Sequence, residues 1–182
     1  SGALTGNGGA LVANDMHLWM SPLNARKMVM EIARQLSAAL PEHRAVYFEN
    51  ARTLSLRFEA LDRDLERRVH RLRGKPFVVF HDAYQYFDRR YGLTMAGALT
   101  VHPERGVSAK HLGELRETVK QMGAGCVFRE PEFDGKVVDA LLEGTKIKSA
   151  VLDPEGALLE PGPELYFQLI ENLVAGLEKC LG

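Results

Sequence analysis

The stretch "FVVFHDAYQYF", residues 77–87, decides how the second half of the chain is read. Four consecutive β-branched or aromatic residues make a short apolar run, the pattern of a strand buried on both faces. The run ends in His81. An imidazole at a strand end can hydrogen-bond a nearby backbone group, or it can be a working group at the rim of a sheet. Both readings stand on this stretch alone. Tyr84, Phe87 and Tyr91 then fall at helical spacing on one face and read as core, whereas Tyr86 faces elsewhere.

Downstream the rhythm repeats. The apolar runs "AGALTV" (96–101), "GCVFRE" (125–130) and "SAVLDP" (149–154) are separated by the helical stretches "AYQYFDRRYG", "SAKHLGELRETVKQMG" and "GKVVDALLEGTK", and "GPELYFQLIENLVAGLEKC" closes the chain as a last helix. Strands alternating with helices predict an α/β fold with a parallel four-stranded sheet flanked by helices. Strand ends about 20–28 residues apart fit βαβ units. Upstream, Ser21 and Pro22 read as an N-cap and a first helical residue, opening a helix that Pro41 separates from the next element. From about Arg44 to Arg73 a long helical pattern carries Ala51, Leu54, Phe58, Leu61, Leu65 and Leu72 on one stripe. It would span roughly 40 Å, the length of a spine between two lobes or of a long surface helix. Residues 1–16 are glycine-rich without periodicity and read as a flexible leader.

Composition narrows the function. The 182 residues are 46% hydrophobic with a formal net charge of −1, which excludes a basic nucleic-acid binder. No run approaches the roughly 18 apolar residues needed to span a bilayer. Cys126 and Cys180 lie too far apart for a CxxC motif, and composition leaves them as a disulfide or two buried thiols.

The chemistry gathers at one edge. In open parallel sheets, ligands bind outside the carboxyl ends of the strands. Here those ends carry His81-Asp82, His102, Arg129-Glu130 and Asp153. Imidazole and carboxylate together suit zinc and related divalent ions. His81 with Asp82, or Glu130 with Asp153, could also serve as a general acid–base pair. Polar groups that merely cap the sheet are the third possibility. Neither a GxSxG elbow nor a P-loop nor a GxGxxG turn is present, and Cys126 sits inside an apolar run. His43, His70 and His111 fall on polar helix surfaces.

Several segments in series carry a more specific signal. "NDMHLWMSPLNAR", "GKPFVVFHDAYQYFDRRYGL", "TVHPERGVSAKHLGELR", "CVFREPEF", "VLDPEG" and the closing cysteine resemble, in order and spacing, the metal-binding periplasmic proteins of zinc-uptake ABC transporters, the ZnuA type. The resemblance covers roughly residues 15–181. It implies a periplasmic carrier that captures zinc and hands it to a membrane permease without catalysis, and it implies two lobes joined by a long helix with the metal between them. By motif, His17 and His81 fall on metal ligands, and Asp153 on a third ligand or a hydrogen-bonding neighbour. Manganese-type relatives usually carry glutamate at the position of His81, so the histidine favours zinc. His102 stands where relatives have a non-ligating polar residue. Cys126 and Cys180 match a pair that forms a disulfide in zinc members.

The family's first lobe has no counterpart here. The resemblance therefore divides the chain into a leader (1–16), a helical segment with the inter-lobe helix (17–73) and a C-terminal α/β lobe (74–182). It also predicts that Leu54, Phe58 and Leu61 are uncovered, a route to self-association, and that burial disfavours protonation of His81. A metal-dependent hydrolase using the same strand-end residues, and a carrier of manganese or another divalent metal, remain as alternatives.

Overall fold

The computed structural model describes residues 15–100, 109–121 and 123–182. His102, most of the glycine-rich leader and the side chain of His111 lie outside the described part.

The first helix, α1 (Pro22–Ala39), starts as its sequence requires. Pro22 occupies the first turn, and Ser21 Oγ accepts a hydrogen bond from the Asn24 amide at 3.4 Å. A short 3-10 turn, Pro41–His43, reverses the chain into α2 (Arg44–Val69), and the two helices pack as a hairpin. A second 3-10 turn, His70–Leu72, completes the long helical segment that the periodicity of residues 44–73 predicts.

Beyond it come β1 (Phe77–His81), α3 (Gln85–Tyr91), β2 (Met95–Thr100), α4 (Ala109–Gln121), β3 (Cys126–Arg129), α5 (Lys136–Leu142), β4 (Lys148–Val151) and α6 (Leu165–Leu181). All three strand pairings are parallel, in the order β2-β1-β3-β4. The connection from β1 runs to one neighbour and the chain then returns to the other side of β1, so the topological switch point lies between β1 and β3. His81 ends the first of these strands, and Glu130 directly follows the second.

Each sheet face has its own core. Phe77 and Val79 of β1, with Cys126 and Phe128 of β3, pack against Leu61, Leu65 and Val69 of α2 and Ile170, Leu173 and Val174 of α6. Val78, Phe80 and Val127 point the other way, toward Leu115 and Val119 of α4 and Val138 and Leu141 of α5. Because side chains alternate along a strand, His81 and Glu130 project on the same face as Phe77 and Cys126, the one covered by α2 and α6. The helix α6 approaches the sheet closely at Gly176, where a Cβ would sit 2.8 Å from the Val151 carbonyl oxygen. A disulfide joins Cys126, at the start of β3, to Cys180, near the end of α6, across a Cα–Cα distance of 6.1 Å.

The stripe on α2 corrects one expectation. Phe58 and Leu61 are not uncovered: they are only 3% and 7% exposed. Phe58 lies edge-on to Tyr166 at 5.0 Å and stacks on Phe167 at 5.5 Å, because the last helix folds back over the C-terminal half of α2. Leu54 is half-buried beside Val29, Ile32 and Leu36 of α1. The more exposed apolar side chains of the hairpin are instead Val46 (57%), Ile32 (53%) and Leu56 (53%).

A buried ionic knot fastens α2 to α3. Asp62 accepts hydrogen bonds from Arg90 Nε and Nη2 at 2.8 and 2.6 Å and from the Tyr91 hydroxyl at 3.0 Å. Such a bidentate fork fixes both distance and orientation. It holds the helix that directly follows the His81 loop against the long helix.

Candidate metal centre

The segment before α1 is short, yet it is tied down at several points. Met20 is fully buried in the α2/α6 core. Trp19 Nε1 donates to the Pro154 carbonyl at 2.9 Å, the Tyr166 hydroxyl donates to the Trp19 carbonyl at 2.8 Å, and the Tyr86 hydroxyl donates to the Asp15 carbonyl at 3.1 Å. Three elements distant in sequence, namely the loop after β4, α6 and α3, thus position the residue between these anchors. That residue is His17.

His17 is thereby brought to the end of β1. Its ring lies 4.9 Å, centroid to centroid, from the ring of His81, with the planes at 71°, and Trp19 stands edge-on to it at 5.3 Å. Each imidazole has a carboxylate on its Nδ1 side. Asp15 Oδ1 is 2.7 Å from His17 Nδ1 and also accepts the His17 amide at 2.9 Å. Glu130 Oε2 lies 3.7 Å from His81 Nδ1, an ion-pair distance longer than a hydrogen bond. Glu130 is only 3% exposed, and its other oxygen accepts the Tyr84 hydroxyl at 3.1 Å.

The electrostatics are acidic around two bases. Burial opposes a charge on His81, but Glu130, then Asp82 and Glu155, outweigh it and hold the imidazole above its ordinary value. This reverses the expectation that burial wins at His81, and the physical reason is the number of carboxylates facing one ring. Burial, then the Asp15 charge, pushes the Asp82 carboxyl up. Burial and the adjacent Glu130 raise the Tyr84 hydroxyl far enough to keep it a donor. Among the described residues, one buried oxygen each of Asp15 and Asp82 lacks a hydrogen-bond partner. Such acceptors are costly to bury, and a cation nearby would relieve them.

Asp153 is placed differently from the two histidines. Its Oδ1 accepts the amides of Glu155 and Gly156 at 3.1 and 2.7 Å, and its Oδ2 accepts the amide of Leu158 at 3.2 Å. These bonds shape the loop that presents the Pro154 carbonyl to Trp19. Among the described residues, no group of three His, Cys, Asp or Glu side chains converges in a metal-holding geometry, so the described set is the imidazole pair and its carboxylates. Sequence reasoning passed over Asp15. Its signal was available, an aspartate two positions before a candidate ligand, but short spacing carries no information about which ring nitrogen it faces.

The chain is similar to known proteins over most of its length. The family model described as "Zinc-uptake complex component A periplasmic" matches residues 3–180. A protein of Brucella abortus (strain 2308) named High-affinity zinc uptake system protein ZnuA is 43% identical over 167 residues, covering 92% of this chain and 50% of that protein. The chain thus spans about half the length of that relative. A solved structure titled "Crystal structure of ZnuA" superposes with a TM-score of 0.81 at 26% identity, over 96% of this chain and 63% of the other. A Zn(II)-bound mutant variant of AdcAII from Streptococcus pneumoniae superposes with a TM-score of 0.77 at 26% identity, over 99% and 67%. With the family match running over nearly its whole length, the chain belongs to the family of periplasmic zinc-uptake complex components of the ZnuA type.

Proposed function

We propose that this chain is the C-terminal, zinc-holding half of a substrate-binding protein that serves a bacterial zinc-uptake ABC transporter, with His17 and His81 as direct ligands. The observation that carries this reading is the separation of the two rings. Two imidazoles bound to one tetrahedral ion through bonds of about 2.0–2.1 Å hold their ring centroids about 5 Å apart. The 4.9 Å between His17 and His81 meets that requirement before any ion is added. Neutral imidazole favours zinc over manganese, which prefers oxygen.

Transport, not turnover, fits these groups. His17 and His81 supply lone pairs, Asp15 and Glu130 face the rings, and among the described residues no nucleophile activated by a base stands beside them. The family description, a component of an uptake complex located in the periplasm, supports a periplasmic carrier that delivers zinc to a membrane permease. Among the described residues, no helix is long and apolar enough to cross a membrane. In this reading Asp153 shapes the loop that meets Trp19, and the two histidines carry the binding.

Isothermal titration with zinc tests the assignment directly. The chain should bind one zinc ion, and His17→Ala and His81→Ala should each abolish measurable binding while leaving the circular dichroism spectrum unchanged. Zinc binding by His81→Ala as tight as that of the unaltered chain would overturn the reading.

A further inference from the structure

We propose that Asp15 and Glu130 are positioning residues that fix the tautomer of the two histidines, keeping the proton on Nδ1 of each ring so that both Nε2 lone pairs are offered to one cation. This rests on the reading of His17 and His81 as zinc ligands and adds what prepares them.

A neutral imidazole can coordinate through only one nitrogen, and which one is free depends on where its single proton sits. In an unconstrained side chain both tautomers are populated. Here the Nδ1 edge of each ring meets an acceptor-only group. Asp15 Oδ1 stands 2.7 Å from His17 Nδ1, and Glu130 Oε2 stands 3.7 Å from His81 Nδ1. A proton on Nδ1 is stabilised by the carboxylate, whereas a lone pair there would face negative charge. Both carboxylates select the same tautomer, although they come from unrelated places, a loop two residues before His17 and the end of the neighbouring strand β3.

The two carboxylates are themselves held. The Tyr84 hydroxyl donates to the second oxygen of Glu130, and the Glu130 side chain is almost fully buried, so it cannot swing to solvent. Asp15 is locked by the His17 amide on the oxygen that faces the ring, and its carbonyl is held by Tyr86. The side chains of Asp15 and Glu130 are only 3% and 2% exposed. Carboxylates behind metal-binding imidazoles, when removed, typically cost roughly 10- to 100-fold in metal affinity.

The test reads the tautomer first, without metal. In the zinc-free, 15N-histidine-labelled chain at a pH where both rings are neutral, long-range 15N–1H correlation should show His17 and His81 as the Nδ1-protonated form. Asp15→Asn and Glu130→Gln, whose amide oxygens still accept, should keep that pattern. Asp15→Ala and the paired change Glu130→Leu with Tyr84→Phe, which keeps the site apolar and filled, should shift the corresponding ring toward the Nε2-protonated form. Zinc titrations of the same set should show losses of roughly 10- to 100-fold in the second group and near-retention in the first. If the alanine and leucine variants are folded and their rings keep the Nδ1-protonated form, the proposal is wrong even though zinc binding by the histidines stands. If the histidine variants bind zinc normally, the ligand reading fails instead.

Discussion

Removing the Cys126–Cys180 bridge should cost this chain a large share of its stability. The cysteines are 54 positions apart. Cross-linking a loop of that length removes unfolded-chain entropy worth about 4 kcal/mol. A folded domain has only about 5–15 kcal/mol in total, so the bridge is a substantial part of the whole. The geometry explains where the loss would be felt. Cys126 begins β3, the strand that delivers Glu130, and Cys180 lies near the end of α6, the helix that seals the α2 face of the sheet. For a chain of this size, about 4 kcal/mol corresponds to a drop in Tm of about 8–16 °C. Urea unfolding should be followed by circular dichroism for the oxidised chain, the chain in excess dithiothreitol, and Cys126→Ala with Cys180→Ala. The two bridge-free forms should lose similar stability, the alanine pair slightly more because it also leaves small cavities. A reduced chain that unfolds within about 1 kcal/mol of the oxidised one would refute the entropy argument.

Four further outcomes follow from particular contacts. Zinc affinity should hold above the folded value for His81 and fall as the pH drops through it, beginning above 6.5 because Glu130, Asp82 and Glu155 overcome burial and raise that value; affinity independent of pH from 8 to 5 in a titration series would contradict this. The same shift makes the zinc-free chain gain stability from His81 below its unfolded value near 6.5, a gain lost as the pH rises through the folded value. Asp62→Ala, which strands Arg90 and removes the acceptor of the Tyr91 hydroxyl, should destabilise by about 2–4 kcal/mol in urea unfolding, less than a fully buried pair because Arg90 is partly exposed. Asp153→Ala frees three loop amides and should weaken zinc binding by less than tenfold, about 1.4 kcal/mol, whereas complete loss in calorimetry would make Asp153 a direct ligand.

Local pattern was enough for the elements and the sheet. Three of the four apolar runs became parallel strands within a residue of their sequence bounds, because a largely buried run leaves little freedom in where it begins and ends, whereas the fourth, residues 149–154, became the exposed edge strand Lys148–Val151 and stops three residues short of its run. Ser21-Pro22 and the long stripe from Arg44 were equally legible, since capping and helical periodicity act over one or two turns. His17 and His81 were singled out by a resemblance and by strand-end position. What no local pattern contained was contact between distant segments. That α6 covers Phe58 and Leu61 depends on how the last helix returns over the long one, and only the folded chain settles it. The same holds for the charge on His81: its own sequence neighbours suggested a buried neutral ring, and the carboxylate that most opposes burial, Glu130, arrives from another strand. Secondary structure is chosen by energies that decay within a few residues along the chain, whereas the tautomer and protonation of an imidazole respond to charges within a few ångströms in space, and those neighbours are assembled only when the sheet forms.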